Sequence, residues 1–246
     1  MKNPLLKRLP KELKSELGKY IVLFVFIAGM IGIVSGYLVA GESMITAYNE
    51  SFDKYNIEDG NFESFQQLDE ETLKTLESND TQIYENFYIE EKVDSNDSTL
   101  RIFSERNEIN KPCMMEGELP QNAEQIAIDR VYAKNNDISV GDTITVGQKD
   151  FEITGFVALS DYSTLYQNPS DMMFDSIKFG VALTTKEGFE SFENSSIHYS
   201  YSWKYGDSPN DDIEANKMSE EFLEVLRYAY NYYQLSQKEK QPKTKK

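Results

Sequence analysis

The residues best able to do chemistry are few. The chain of 246 residues holds one histidine, His198, and one cysteine, Cys113. A Ser-His-Asp relay would have to run through His198. That residue sits in the alternating stretch 197–205, which reads as a strand, so it reads as a strand histidine without a catalytic role. Cys113 follows Lys111-Pro112 and has no second thiol, which excludes an intrachain disulfide and a Cys-rich zinc site. A single histidine excludes a multi-His metal centre. The run Asp94-Ser95-Asn96-Asp97-Ser98 offers oxygen ligands but lacks the Gly and terminal Glu of an EF-hand, and reads as a hairpin loop. No GxxxxGK[ST] loop, GxSxG elbow or HExxH pair is present. Among 42 Asp and Glu no pair stands out for acid–base work. Asp207, Asp211 and Asp212 flank Pro209 and suit turns and helix caps. The expectation is a chain with no catalytic residue, no cofactor and no metal.

The charge is unevenly divided. Residues 1–19 carry six basic groups and two acids, residues 20–41 carry none, residues 42–237 carry 14 basic and 39 acidic groups, and residues 238–246 carry five Lys and one Glu. The net −17 therefore belongs to one segment. Such acidity argues against a nucleic-acid partner, which needs a basic face. The uncharged stretch from Tyr20 has 12 Leu, Ile, Val or Phe among its first 21 residues. As a helix these would span ~31 Å, enough to cross the lipid bilayer core. Their insertion is favoured by about 4–7 kcal/mol before Gly and Ser are discounted. Tyr20 and Tyr37 lie near the ends, where amphipathic rings suit the interface. The apolar run and its 19-residue lead are long for a cleaved signal peptide. The basic lead places the N-terminus in the cytoplasm and residues 42 onward outside, giving a cell-membrane protein that is single-pass in this chain.

Two patterns in this portion point to partners. Ala28, Gly32, Gly36 and Ala40 recur every four residues and form one stripe, including a GxxxG, along which another membrane helix can approach closely. Leu6, Leu9, Leu13 and Leu17 form an apolar stripe in the basic lead, as in a helix lying on the inner leaflet. Met44, Tyr48, Phe52 and Tyr55 share one face, as if the membrane helix continued outward as a stalk.

The outer segment reads as α+β. Expected strands cover 61–65, 83–93, 99–104, 125–128, 143–146, 151–157, 179–183 and 197–205. Expected helices follow Asp69 and Asp129, a short one covers 185–192, and a long acidic helix covers 211–237. In that helix Ile213, Ala215, Met218, Phe222, Val225, Leu226, Ala229 and Tyr233 can form the apolar face. The most patterned region, 116–157, reads as a strand–helix–hairpin subdomain in which Gly141-Asp142 turns into the strand 143–146. Residues 161–175 read as a polar-aromatic loop with Met172 and Met173, and the Lys-rich 238–246 as a disordered tail.

The ordered set of features resembles the first portion of FtsX/MacB-type ABC transporter permeases. It is carried by Gly117, Leu119, Pro120, Ile126, Ile128, Val140, Gly141, Asp142, Thr143, Ile153, Gly155 and Val157. The run Glu12-Leu13-Lys14-Ser15 to Gly18-Lys19-Tyr20 is also similar to the helix with which that family begins. The resemblance implies an N-terminal transmembrane helix with stalk and then a MacB-like periplasmic-core-type extracytoplasmic domain. It implies as partners a cytoplasmic ABC ATPase subunit, further permease membrane helices and the lipid bilayer, with ATPase motion carried to the outer domain for mechanotransmission or export. Such permeases have at least four membrane helices and this chain offers one, so the expectation is a fragment or a subunit completed by another chain. The alternative is a stand-alone single-pass surface sensor or binding protein, or a secreted domain cleaved after Ala40.

Overall fold

The computed structural model describes residues 14–240 apart from 78, 79, 169, 194, 208, 210 and 211. Leu6, Leu9 and Leu13 of the lead, the end of the chain beyond 240, and the side chain of Tyr233 lie outside the described residues. Two compact units make up the chain, divided between Asp53 and Lys54.

The first unit contains all but the last residue of the helix α1, Leu17–Lys54, 38 residues with none buried. No Pro interrupts it, so the expected span and stalk are one rod of ~57 Å, nearly twice the thickness of a bilayer core. It is the one helix among the described residues long and apolar enough to cross a membrane. Tyr48 and Phe52 meet edge to face at 5.1 Å, as their four-residue spacing dictates. Ala28, Gly32, Gly36 and Ala40 are exposed, and nothing lies within 4 Å of where a Cβ would stand on Gly32 or Gly36.

The second unit is α+β, with two sheets. In the smaller, β1 (Gly60–Ser64) and β2 (Thr81–Glu85) flank β10 (Tyr199–Tyr205), all antiparallel. Its apolar residues pack with α2 (Glu70–Leu76) and α5 (Asp212–Lys240), burying Leu68, Leu76, Tyr201 and Ala229 in one cluster and Trp203, Tyr205 and Phe222 in another. Asp69 caps α2 by accepting from Thr72 N at 3.0 Å. On α5 the packed face begins at Met218. Ile213, assigned by spacing to that face, is 80% exposed because it precedes the part of the helix that meets the sheet. The helix itself continues to Lys240, three residues into the Lys-rich tail.

The larger sheet adds β3 (Tyr88–Val93), β4 (Ser98–Phe103), β5 (Cys113–Gly117), β6 (Gln125–Asp129), β7 (Thr143–Val146), β8 (Lys149–Ala158) and β9 (Phe179–Thr184). The order is β5-β8-β6-β9-β4-β3-β7, and β7 also pairs with β8. Six strands therefore close on themselves. β8 can serve three neighbours because it is ten residues long. β7 takes residues 149–152 of one edge, β5 takes 155–158 of the same edge, and β6 runs along the other. Closure between β3 and β7 rests on the pair Val93 and Val146 with two flanking bonds, Gly147 N to Lys92 O at 3.0 Å and Asp94 N to Thr145 O at 3.2 Å. Strand alternation sends Ile89, Val93, Leu100, Ile102, Ile126, Ile128, Ile144, Val146, Phe151, Ile153, Val157, Val181 and Leu183 into one core.

Two sequence expectations change here. The stretch 83–93 is not one strand: it breaks at Asn86-Phe87 and its halves join different sheets. Asn86 N donates to Ser200 O, and Tyr88 then exchanges both backbone bonds with His198. Alternation cannot reveal this, because both halves alternate. The strands within 116–157 do not stand apart as a unit either, since β6 also pairs with β9 and β7 with β3.

The motif residues serve this geometry. Asp129 caps α3 (Arg130–Asn135), accepting from Val131 N at 2.7 Å and Tyr132 N at 3.0 Å, and Thr185 caps α4 (Lys186–Glu190), accepting from Gly188 N at 3.2 Å. Gly141 has φ +94° and donates from N to Ile153 O at 2.8 Å. Asp142 Oδ2 accepts from Ser139 N at 2.8 Å, which closes the turn before Thr143. Gly117, at φ +71°, pairs with Gly155 across the ladder. A Cβ on Gly117 would run into Thr154 O and stand 2.8 Å from Gly155 Cα. On Gly155 it would stand 2.6 Å from Glu118 O. Leu119 packs half-buried on the main core, Pro120 is half-buried beside it in sequence, and Val140 is exposed.

These two glycines separate strain from clash. Gly141→Ala meets open space and carries the left-handed φ alone, at ~1–2 kcal/mol. Gly117→Ala adds a backbone collision and is expected to lower the thermal midpoint further, with a total cost of ~3 kcal/mol or more. Thermal unfolding of both variants checks the order; equal midpoints would refute the collision.

Candidate functional site

Arg101 is a charged residue in the middle of β4, whose six residues are all buried. Strand alternation turns Leu100 and Ile102 to the closed core and Arg101 to the other face. Burying a guanidinium without partners would cost several kcal/mol, so every donor must be met. Arg101 Nε donates to Glu90 Oε1 at 3.0 Å, Nη1 to the Tyr162 hydroxyl at 2.9 Å, and Nη2 to Gln167 O at 2.8 Å. The guanidinium also lies 4.2 Å from the centre of the Tyr88 ring. These bonds hold the segment around Tyr162 and Gln167 over the sheet and give a cleft its wall.

The cleft has a volume of about 390 Å³ and lies among β1, β10, β3, β4 and the 161–168 segment. A second arginine lines it. Arg106 lies just after β4, its side chain is 3% exposed, and its Nη1 spans both oxygens of Asp161 at 2.8 Å each. Its Cζ stands 3.9 Å from the Phe103 ring centre. Arg106 Nε is enclosed and has no hydrogen-bond partner among the described residues.

Two carboxylates also line the cleft, Glu58 just before β1 and Glu63 within it. Glu58 accepts from Asn61 at 2.6 Å, from Asn110 at 2.6 Å and from Ser202. Burial pushes its carboxyl up, and the charge of Asp161 adds to the effect, while the three hydrogen bonds oppose it. No cation among the described residues pairs with it. Glu63 accepts from the Tyr88 hydroxyl at 2.7 Å. Burial first, and then this hydrogen bond, raise the Tyr88 phenol; burial likewise raises Tyr162. Both stay neutral at physiological pH. His198, just before β10, stacks on Tyr88 with the rings 4.6 Å apart and 4° from parallel. Cys113 accepts from the Tyr55 hydroxyl at 3.0 Å, away from the cleft.

None of the residues singled out in the sequence lines this cleft. Ala28, Gly32, Gly36 and Ala40 lie in the other unit, and the motif glycines, Asp142 and Thr143 build the β7–β8 region. Arg101, Arg106, Glu58 and Asp161 went unrecognised. A signal existed: residues 42–237 have four arginines against 39 acids, and one of the four interrupts the apolar run Leu100–Phe103.

No family model and no curated protein matches the sequence. Among solved structures the chain is similar to the periplasmic region of MacB from Actinobacillus actinomycetemcomitans, at 13% identity and a TM-score of 0.39, over 68% of this chain and 76% of that one. Both figures are too low to place the chain in a family.

The Glu58 environment has a pH consequence. Its folded carboxyl keeps a proton to higher pH than the unfolded one. Stability from this group is therefore greatest below pH 4.5 and falls as pH rises through the raised value. Glu58→Gln is expected to flatten that part of the stability-against-pH curve, leaving the contribution of Asp129, which burial also raises. Denaturant titrations between pH 4 and 8 check this; an unchanged slope would refute it.

Proposed function

We propose that this chain is the membrane-anchored part of an ABC transporter permease subunit, coupling a cytoplasmic ATPase to an extracytoplasmic domain. The carrying observation is α1: one unbroken apolar helix, uncharged over 20–41, between a basic lead and an acidic α+β unit. A rod of this kind transmits displacement along its axis, since helix hydrogen bonds resist stretching and no Pro weakens it. The ordered resemblance of the lead, the span and the Gly117–Val157 strands supports the same reading. One helix cannot enclose a pathway, so the reading requires further membrane helices. The exposed stripe Ala28-Gly32-Gly36-Ala40 is where they would pack.

The proposal places residues 1–19 in the cytoplasm and 42 onward outside. In intact cells bearing the full chain with an N-terminal tag, added protease is expected to digest the outer domain and spare the tag in the membrane fraction. A soluble outer domain released without the tag would overturn the anchor. Purification in mild detergent is expected to recover an ABC ATPase and multi-span subunits, and Gly32→Leu with Gly36→Leu to reduce that recovery. Solitary purification of the wild-type chain favours the single-pass sensor instead.

A further inference from the structure

An apolar pocket and an exposed aromatic side chain lie next to each other beside the smaller sheet. The pocket has a volume of about 190 Å³ and opens between the end of β1, α2 and α5. Leu68, Leu76, Leu226 and Ala229 supply apolar walls. A cavity of ~150 Å³ with such walls takes up a benzene ring, so this one has room for a phenyl side chain. Ser64 lines the pocket, and the next residue, Phe65, is 92% exposed. The apolar surface continues along α5. Leu223, Leu226 and Tyr230 share one side of that helix at spacings of three and four, and Leu223 and Tyr230 are 43% and 40% exposed.

Charges of opposite sign stand at the same pocket. Glu63 and Arg227 both line it, and neither forms an ion pair with the other or with any other described residue. A patch that holds an apolar knob, an apolar hole, an acid and a base is complementary to itself. A two-fold axis through it brings each knob to the other hole and each Glu63 to the Arg227 of the second copy. We propose that two copies of this chain pair through this patch, Phe65 of each seated in the pocket of the other. A different protein would have to bring an aromatic knob, a hole for Phe65 and both charges in matching places; a second copy carries all four. A buried aromatic anchor in a pocket is also the kind of contact that dominates the energy of an interface. The assignment is read from the second unit alone, so it can fail while the anchor proposal stands, and the reverse.

The test is energy transfer between full-length chains carrying a donor or an acceptor at the N-terminus, mixed in lipid vesicles and diluted with added lipid. The wild-type chain is expected to show transfer above that of chains placed at random. Phe65→Ser, at a position too exposed to disturb folding, is expected to weaken association about 30-fold. Glu63→Lys and Arg227→Glu are each expected to weaken it about tenfold, and the two together in one chain to restore it, because the pair is rebuilt with its signs exchanged. Absence of transfer in the wild-type chain would overturn the proposal. So would transfer that survives Phe65→Ser, which places the pairing elsewhere in the chain, or a double variant no better than the singles.

Discussion

A guanidinium buried in a sheet face has to be surrounded by acceptors, and in this molecule that requirement organises the second unit. Arg101 is 9% exposed at its side chain. Removing one partner from such a pair costs ~3–5 kcal/mol, because the other charge is left stranded. Glu90 on the neighbouring strand, the Tyr162 hydroxyl and the Gln167 carbonyl meet the charge together. Two of these come from a segment that is otherwise a loop. The loop is thereby fixed over β4, and Asp161 beside Tyr162 is brought to Arg106. The cleft is a consequence of satisfying one charge.

Closure of the larger sheet supplies the rigidity on which that arrangement rests. A sheet of seven strands would expose two long edges. Here the length of β8 lets β7 and β5 share one of its edges, and β3 meets β7, so six strands close and β5 remains the one at the margin. The glycines at 117 and 155 belong to this solution, because two backbones must approach where β5 passes β8. The smaller sheet joins through Tyr88 and His198, which exchange backbone bonds and stack their rings. The opening between the two sheets is where Glu58, Glu63 and the arginines converge.

Much of the local structure was legible in the residues. Asp69 and Asp129 announced their helices, because a short side chain before an apolar period can meet free backbone amides. The β7–β8 hairpin turns at Gly147-Gln148, where both residues take positive φ. The alternation of Phe151, Ile153 and Val157 was equally plain. The break at Asn86 and the exposed Ile213 were not, since each depends on which neighbour the chain meets rather than on its own period. Arg101 was visible only as an anomaly inside a strand.

By itself, the sequence determined the partition of the protein: a charge-free run long enough to cross a bilayer, a basic lead, and an acidic segment whose periods of two and near four specify strands and helices. These are properties of composition and of near neighbours along the chain, and they survive without tertiary contacts. The tertiary structure alone decided which strands share edges, that six of them close, and that Glu58, Arg101, Arg106 and Asp161 surround one space. Those residues are separated by up to 103 positions. No local period links them; they are brought together because buried charges must be met from whatever elements the closed sheet places within reach.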